Sequence, residues 1–419
     1  MPAATEHEAR ERLRDERPRE DRDVVVLKFG DELLSDVSGV GDVARRLAAA
    51  RDAGHSVVGV LAAMGSTTSE LVALAREVSP RPAEREVDML VSVGERTSCA
   101  LVAMALVDLG YDAVSLTGSQ AGIVTDTAHG KASIVEVRGH RVRDELARGA
   151  IVLVAGLQGV STDAEVTTLG PEGSEATAVA LAAALSAAVC EILGGTNGVH
   201  TADAGIAPGA RTVGVVTHEE LLELAARSSG HLPLRSVELA RNHGVPLHLR
   251  SPLADGAGTR VVTEEDERML ERAIISGVTH TVGETVYRIA GVPAAALFTA
   301  LADADVNVDT ILQAGDDLVF SAPTKDEAAT AAVLDALDAP WSADAGLGQV
   351  SIVGAGMKSH PGVAATAFAT LEENGIEPVI VTTSPIRIDC HVRRDAVERA
   401  VRALHDAFGL DGAGESGGE

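Results

Sequence analysis

Aromatic side chains are almost missing: five Phe, two Tyr and one Trp in 419 residues, 2% of the chain. Hydrophobic residues still make up 46%, so a sizeable core is available, but Ala, Val, Leu and Ile must build it. Positive charge is scarce too. Lys and Arg number 35 against 62 Asp and Glu, a formal net charge of −27. Duplex binding relies on clustered cations that release counterions from phosphates, so nucleic acid is not an expected partner. Cysteine is limited to Cys99, Cys190 and Cys390, far apart in the chain. That spacing suggests neither a disulfide framework nor a cysteine zinc site, and no metal site is expected. No apolar run reaches the ~18 residues of a bilayer-crossing helix. The charged N-terminus lacks the apolar stretch of a signal peptide. The expectation is an acidic cytoplasmic α/β protein with no membrane partner. Its length suits two or three domains.

Residues 1–22 are charged or small, as in Glu6-His7-Glu8-Ala9-Arg10-Glu11-Arg12, and read as a disordered arm with little to bury. The segment 411–419 reads as a disordered tail. Between them, short β-branched runs alternate with Ala/Leu-rich helical stretches. Val24–Leu27, Val57–Leu61, Ile151–Val154 and Val189–Ile192 read as strands. Val40–Ala53, stopped by Gly54, and Glu70–Val78 read as helices. Each strand is continuously apolar, which means burial on both faces and favours a mainly parallel sheet covered by helices. This rhythm ends near Val262. Beyond it, Phe298-Thr-Ala-Leu301 with Val306 is echoed by Phe368-Ala-Thr-Leu371 with Ile376, an offset of 70 residues. A strand precedes each copy, at Val286–Ile289 and at Val350–Val353, and two βαββαβ modules account for the pattern.

From Val24 to Leu410 the chain resembles a bacterial aspartokinase. The likeness runs through Lys28-Phe29-Gly30, Ala63-Met64-Gly65-Ser66-Thr67-Thr68-Ser69-Glu70-Leu71, Glu86-Val87-Asp88-Met89-Leu90, Gly94-Glu95 and Leu116-Thr117-Gly118-Ser119-Gln120-Ala121-Gly122. It continues through Val154–Gly159, Thr167–Gly170, Thr177–Leu185, Leu234–Glu238, Val353–Gly362 and Arg402–His405. The resemblance implies an amino-acid-kinase-like three-layer sandwich at 23–262 and two ACT modules, at 263–345 and 346–410, with the possibility of interleaving left open. It implies transfer of the γ-phosphoryl group of Mg-ATP to the side-chain carboxylate of aspartate. It also implies ACT modules that bind end-product amino acids and join the chain into a homo-oligomer.

Carried over residue by residue, the resemblance puts Lys28 at the phosphates, Lys28, Gly30, Asn197 and Asp203 at the nucleotide, and Lys28 and Glu175 in catalysis, with the added methylene of Glu175 giving it the wrong reach for a tight site. Thr68, Glu95 and Ser174 fall at the amino-acid substrate, with Glu95 receiving its ammonium. Thr67 and Thr68 equally suit an N-cap, and Glu95 a helix N-terminal charge. Asn307, Asp309, Gln313, Met357 and Gly362 fall at effector positions. The departures cluster at ATP and at the substrate clamp. Asp31, Glu32 and Leu33 stand where the family has glycine and small hydroxyl residues. Pro171 and Glu172 stand in place of an arginine clamp, which loses a bidentate charge-assisted contact. Glu175 replaces a shorter Asp. Gly195 and Asn197 replace two acids, and Thr212 replaces a lysine. No Walker-type phosphate loop substitutes for them. The first ACT module lacks about five residues between Val292-Pro293 and Phe298.

The leading expectation is therefore an aspartokinase homologue with an eroded ATP site that binds or transforms an aspartate-like amino acid. Mg-ATP is its cofactor only if the family activity survives. An active kinase of aspartate or an analogue, and an ACT-mediated non-catalytic partner subunit, stay open as alternatives.

Overall fold

The computed structural model describes residues 23–171, 173–194, 197–225, 232–251, 256–263, 275–355, 357, 360 and 362–411. The N-terminal arm, the tail beyond Asp411, Glu172, Gly195 and Pro361 lie outside those residues. The described chain divides into two compact units. One holds residues 23–199, 214–222 and 232–263; the other holds 200–213, 223–225 and 275–411.

The first unit is built on an eight-stranded sheet. Its spatial order is Val215–Thr217, Thr259–Val262, Leu247–Arg250, Val189–Leu193, Val24–Phe29, Ser56–Leu61, Ile151–Ala155 and Ala113–Leu116. All pairs are parallel except Leu247–Arg250 with Thr259–Val262. Val24–Phe29 is central, with Val25 facing Val57 on one side and Val189 on the other. Val26, Val57, Val58 and Val60 are fully buried, as continuous apolar runs require. The helix Val37–Asp52 starts three residues before the expected Val40, because the Asp36 carboxylate accepts from the backbone N–H groups of Ser38 and Gly39 at 2.8 and 3.0 Å and caps it there. Gly54, at φ +93°, ends it. Its buried stripe (Val40, Val43, Ala44, Leu47) packs with Val25, Leu27 and Val57.

A smaller four-stranded sheet, ordered Ile134–Val137, Ile123–Thr125, Gln158–Ser161, Val166–Thr168, was not anticipated. Its strands are only three or four residues long, and some of their buried positions are polar. The Thr125 and Thr167 hydroxyls meet at 2.6 Å. The helices Glu84–Val91 and Val93–Asp108, joined at Ser92, form a stretch long and apolar enough to cross a bilayer by length and composition. Glu95 and Arg96 interrupt it, so it does not read as a continuous apolar run. Its Cys99, Val102 and Leu106 pack in one cluster with Phe29 and Leu61.

The second unit holds two four-stranded antiparallel sheets. One is ordered Gly277–Thr281, Leu347–Val353, Arg387–Arg393, Ile380–Ser384; the other Ile311–Ala314, Asp317–Pro323, Glu284–Ala290, Trp341–Asp344. The span 263–345 is therefore not one module. Gly277–Thr281 pairs with Leu347–Val353, and Val278 is buried with Val350, Ile352 and Leu404. The sheet running from Glu284 to Asp344 is thus inserted within the other. The segment 200–213 also leaves the first unit. Ala202 and Ala207 join the core of Val401 and Leu404, and the Thr201 hydroxyl meets His405 Nε2 at 2.9 Å. In the repeat, Leu301 and Leu371 are both buried, as are Val306 and Ile376. The two Phe residues differ. Phe298 meets Phe320 edge-on at 6.1 Å, whereas Phe368 is 44% exposed. Pro385 lies in the turn that joins edge strand Ile380–Ser384 to its neighbour, where no ladder donor is needed.

Because Leu301 and Leu371 occupy equivalent buried positions, Leu301→Ala and Leu371→Ala should each cost roughly 2–5 kcal/mol, read as a lowered unfolding midpoint in chemical denaturation.

Candidate functional site

A cleft of about 880 Å³ opens in the first unit. Lys28, near the end of the central strand, and Ala62 and Ala63, just past Ser56–Leu61, line it. Ligands of open parallel sheets sit at this carboxyl edge. Lys28 is buried, and its ammonium donates to a Glu175 carboxylate oxygen. Glu175 is in the first turn of the helix Gly173–Leu185, and the Ser174 hydroxyl donates to its other oxygen at 3.0 Å. Gly156 lets that helix start close to the sheet. A Cβ there would lie 2.7 Å from the Ser174 Cβ.

Thr68 lines the cleft from the first turn of the helix Thr67–Val78. Neither threonine caps that helix; Ser66 holds the N-cap position, and the Thr67 hydroxyl donates to the Met64 carbonyl at 2.6 Å. Glu95, in the first turn of Val93–Asp108, is only 3% exposed, and its Oε2 has no hydrogen-bond partner among the described residues. Burial pushes its carboxyl up to about 7, against smaller opposing effects of its own backbone N–H and the charge of Arg96. Glu95 lines the cleft, and its Oε2 is a buried acceptor without a donor among the described residues.

Acids crowd the inner end. Asp31 lines the cleft, and its carboxyl is raised above its usual range by burial and then by a hydrogen bond with, and the charge of, Glu32. The Glu32 carboxylate lies over two glycines: a Cβ on Gly30 would come within 2.6 Å of one of its oxygens, and a Cβ on Gly194 within 2.9 Å of the other. Gly30 and Gly194 are brought together because the Gly30 N–H donates to the Leu193 carbonyl at 3.1 Å. Asn197 accepts from the Ser251 N–H at 3.2 Å, tying together the loops that follow strands Val189–Leu193 and Leu247–Arg250.

A profile of the amino acid kinase family matches residues 23–251, and an ACT domain profile matches 350–408. The aspartokinase of Mycolicibacterium smegmatis is 45% identical over 411 residues, covering 94% of this chain and 98% of that protein. The chain belongs to the aspartokinase family. The aspartokinase of Corynebacterium glutamicum is 44% identical, with the same coverage. Among solved structures, the aspartate kinase from Synechocystis is 35% identical, with TM-score 0.53, covering 92% of this chain and 69% of that one. Escherichia coli aspartokinase III, in complex with aspartate and ADP, is 20% identical with TM-score 0.76, covering 92% of this chain and 99% of that one; this likeness is one of fold.

In this aspartokinase-family chain, one cleft gathers Lys28, Thr68, Glu95, Ser174 and Glu175. Asp203 belongs to the segment 200–213 of the second unit, is exposed, and accepts from the Gly205 N–H at 2.8 Å. Asn307, Asp309 and Gln313 are exposed at, and just before, the edge strand Ile311–Ala314. The Gln313 amide donates to the Gly315 carbonyl at 3.4 Å. The Met357 side chain is buried in the core with Val363 and Leu371. Gly362 starts the helix Gly362–Glu373, and a Cβ there would meet nothing within 4 Å.

Two cleft residues escaped the sequence reading. Asp88, quoted there only as a motif letter, is buried. It accepts from the N–H of Gly130 at 3.1 Å and the hydroxyl of Thr168, and it meets His129 Nδ1 at 2.7 Å. Its signal was a lone acid among the apolar positions of a helix. Arg76 lines the outer wall, and nothing in its sequence context marks it.

The raised Glu95 carboxyl sets a pH dependence. Below its ordinary 4.5 the folded and unfolded chains are both protonated there; between 4.5 and about 7 the unfolded chain ionises first. Stability should therefore fall as pH rises through that window, with the full cost above it. Glu95→Gln should remove that part of the dependence and, above pH 7, leave the unliganded protein more stable on the order of 2–3 kcal/mol. Thermal unfolding of both proteins from pH 4 to 9 measures this.

Proposed function

We propose that this aspartokinase homologue binds, or transforms, an aspartate-like amino acid in the cleft without ordinary ATP-dependent phosphorylation. The observation that carries the reading is the Glu32 carboxylate lying over Gly30 and Gly194. Glycines admit a phosphate because no Cβ fills the space beside the backbone; here the Glu32 carboxylate fills it, and the Gly30 and Gly194 N–H groups already donate to the Leu193 and Arg250 carbonyls. Lys28, which lines the cleft beside Asp31, is engaged by Glu175, and Asp31 adds a further carboxylate. Like charges ~4 Å apart cost ~1 kcal/mol even in water and more where partly buried. On this reading Mg-ATP does not fit the residues present. Pro171 offers neither a cation nor an N–H, and Asn197 already accepts from Ser251.

The amino-acid half fits better. A ligand ammonium would give Glu95 the donor that it lacks, and Thr68 and Ser174 supply hydroxyls in the same cleft. An active aspartate or aspartate-analogue kinase, making an acyl phosphate, is the second reading. It is favoured by Lys28, Thr68, Glu95 and Ser174 lining one cavity and by relatives that bear the aspartokinase name. For the second unit, the reading is an amino-acid effector near Asn307, Asp309, Gln313 and Gly362. It also includes homo-oligomer formation through the ACT modules, whose edge strands Ile311–Ala314 and Ile380–Ser384 leave ladder groups to pair.

Calorimetry of the full chain should detect aspartate or a close analogue but no micromolar Mg-ATP binding. A hydroxamate assay over aspartate and its analogues, which traps acyl phosphates, should stay at background. Micromolar nucleotide binding together with hydroxamate formation would transfer the assignment to the active kinase.

A further inference from the structure

Two cations line the cleft, Lys28 and Arg76. Lys28 is held by Glu175. Arg76 is an exposed residue of the helix Thr67–Val78 that makes no hydrogen bond or ion pair with any described residue. Thr68, Val72 and Arg76 are spaced four apart, all three line the cleft, and this spacing puts them on one helix face. Eight residues at ~1.5 Å each separate Thr68 from Arg76 by roughly 12 Å along the axis. Long helical side chains lean toward the helix N-terminus, the direction in which Thr68 lies. Gly94 sets Glu95 close to the start of this helix: a Cβ on Gly94 would lie 3.5 Å from the Thr67 methyl. The cleft thus offers a buried carboxylate without a donor and, on the same wall as Thr68, a guanidinium without an acceptor. Val72, Val87, Val91 and Leu157 give it an apolar lining.

We propose that Arg76 holds a carboxylate of the ligand, while Glu95 takes its ammonium, so that the cleft selects dicarboxylic amino acids. A guanidinium fork matches a carboxylate in geometry as well as charge. This rests on the amino-acid-binding reading above and adds the residue that sets specificity.

Calorimetry with aspartate on the full-length wild type, Arg76→Gln and Arg76→Lys tests it. Arg76 is exposed and unpaired among the described residues, so both variants should fold with unchanged circular dichroism. Arg76→Gln should lose about 10–100-fold in affinity, the range of a charge-assisted hydrogen bond. Arg76→Lys should regain part of that loss, and added salt should weaken the wild type more than Arg76→Gln. The two carboxylates of aspartate are distinguished with asparagine and with aspartate α-amide. The amide that blanks the held carboxylate should be insensitive to Arg76→Gln, and the other should remain sensitive. Wild-type affinity in Arg76→Gln, or equal sensitivity of both amides, overturns the assignment of Arg76 and leaves the amino-acid reading standing. No binding of aspartate to the wild type overturns both.

Discussion

The Lys28–Glu175 ion pair governs the inner end of the cleft. Taking two charges out of water is costly, and the pair is tolerated only with close geometry and further hydrogen bonds. Ser174 supplies one of those bonds, and Gly156 allows the helix to begin close enough for Glu175 to reach. Lys28 is thereby committed within the protein, and any anion that approaches it must compete with a carboxylate already in place.

The rest of the cleft follows from that commitment. Asp31 and Glu32 add negative charge near Lys28, and each raises the cost of ionising the other. Glu95 sits deeper, with its carboxyl favoured in the neutral form by burial. An ammonium in the cleft would reverse that preference, because an adjacent positive charge favours the ionised form. Protonation and amino-acid binding at Glu95 are thus alternatives for the same oxygen.

Much of this was legible in the sequence. The buried parallel strands announced themselves as unbroken β-branched runs, and the repeat announced two similar modules, because periodicity and burial are local properties. The small sheet at Ile123–Thr168 was not legible, since its strands are short and their buried threonines satisfy one another only after folding. Thr68, Glu95, Ser174, Glu175 and Lys28 were found by their motif letters, and the fold places all five in one cavity. For Asp203 and Met357 the motif letter gave a position along the chain but not its surroundings: the segment 200–213 joins the second unit, and the Met357 side chain is buried in a core. Arg76 had no local signal at all. Its interest comes from what does not touch it, which only coordinates reveal.

The strand Gly277–Thr281 finds its neighbour only beyond the entire inserted module, at Leu347–Val353. On a growing chain it would leave the ribosome well before that neighbour exists. Pairing across such a separation must first close a long loop, which is slow for an unstructured chain. Early folding of the inserted module, Glu284 to Asp344, would shorten that loop to a compact body with its ends held together. The order of synthesis and the order of stabilisation then coincide, with the inner module acting as a splint for the outer one.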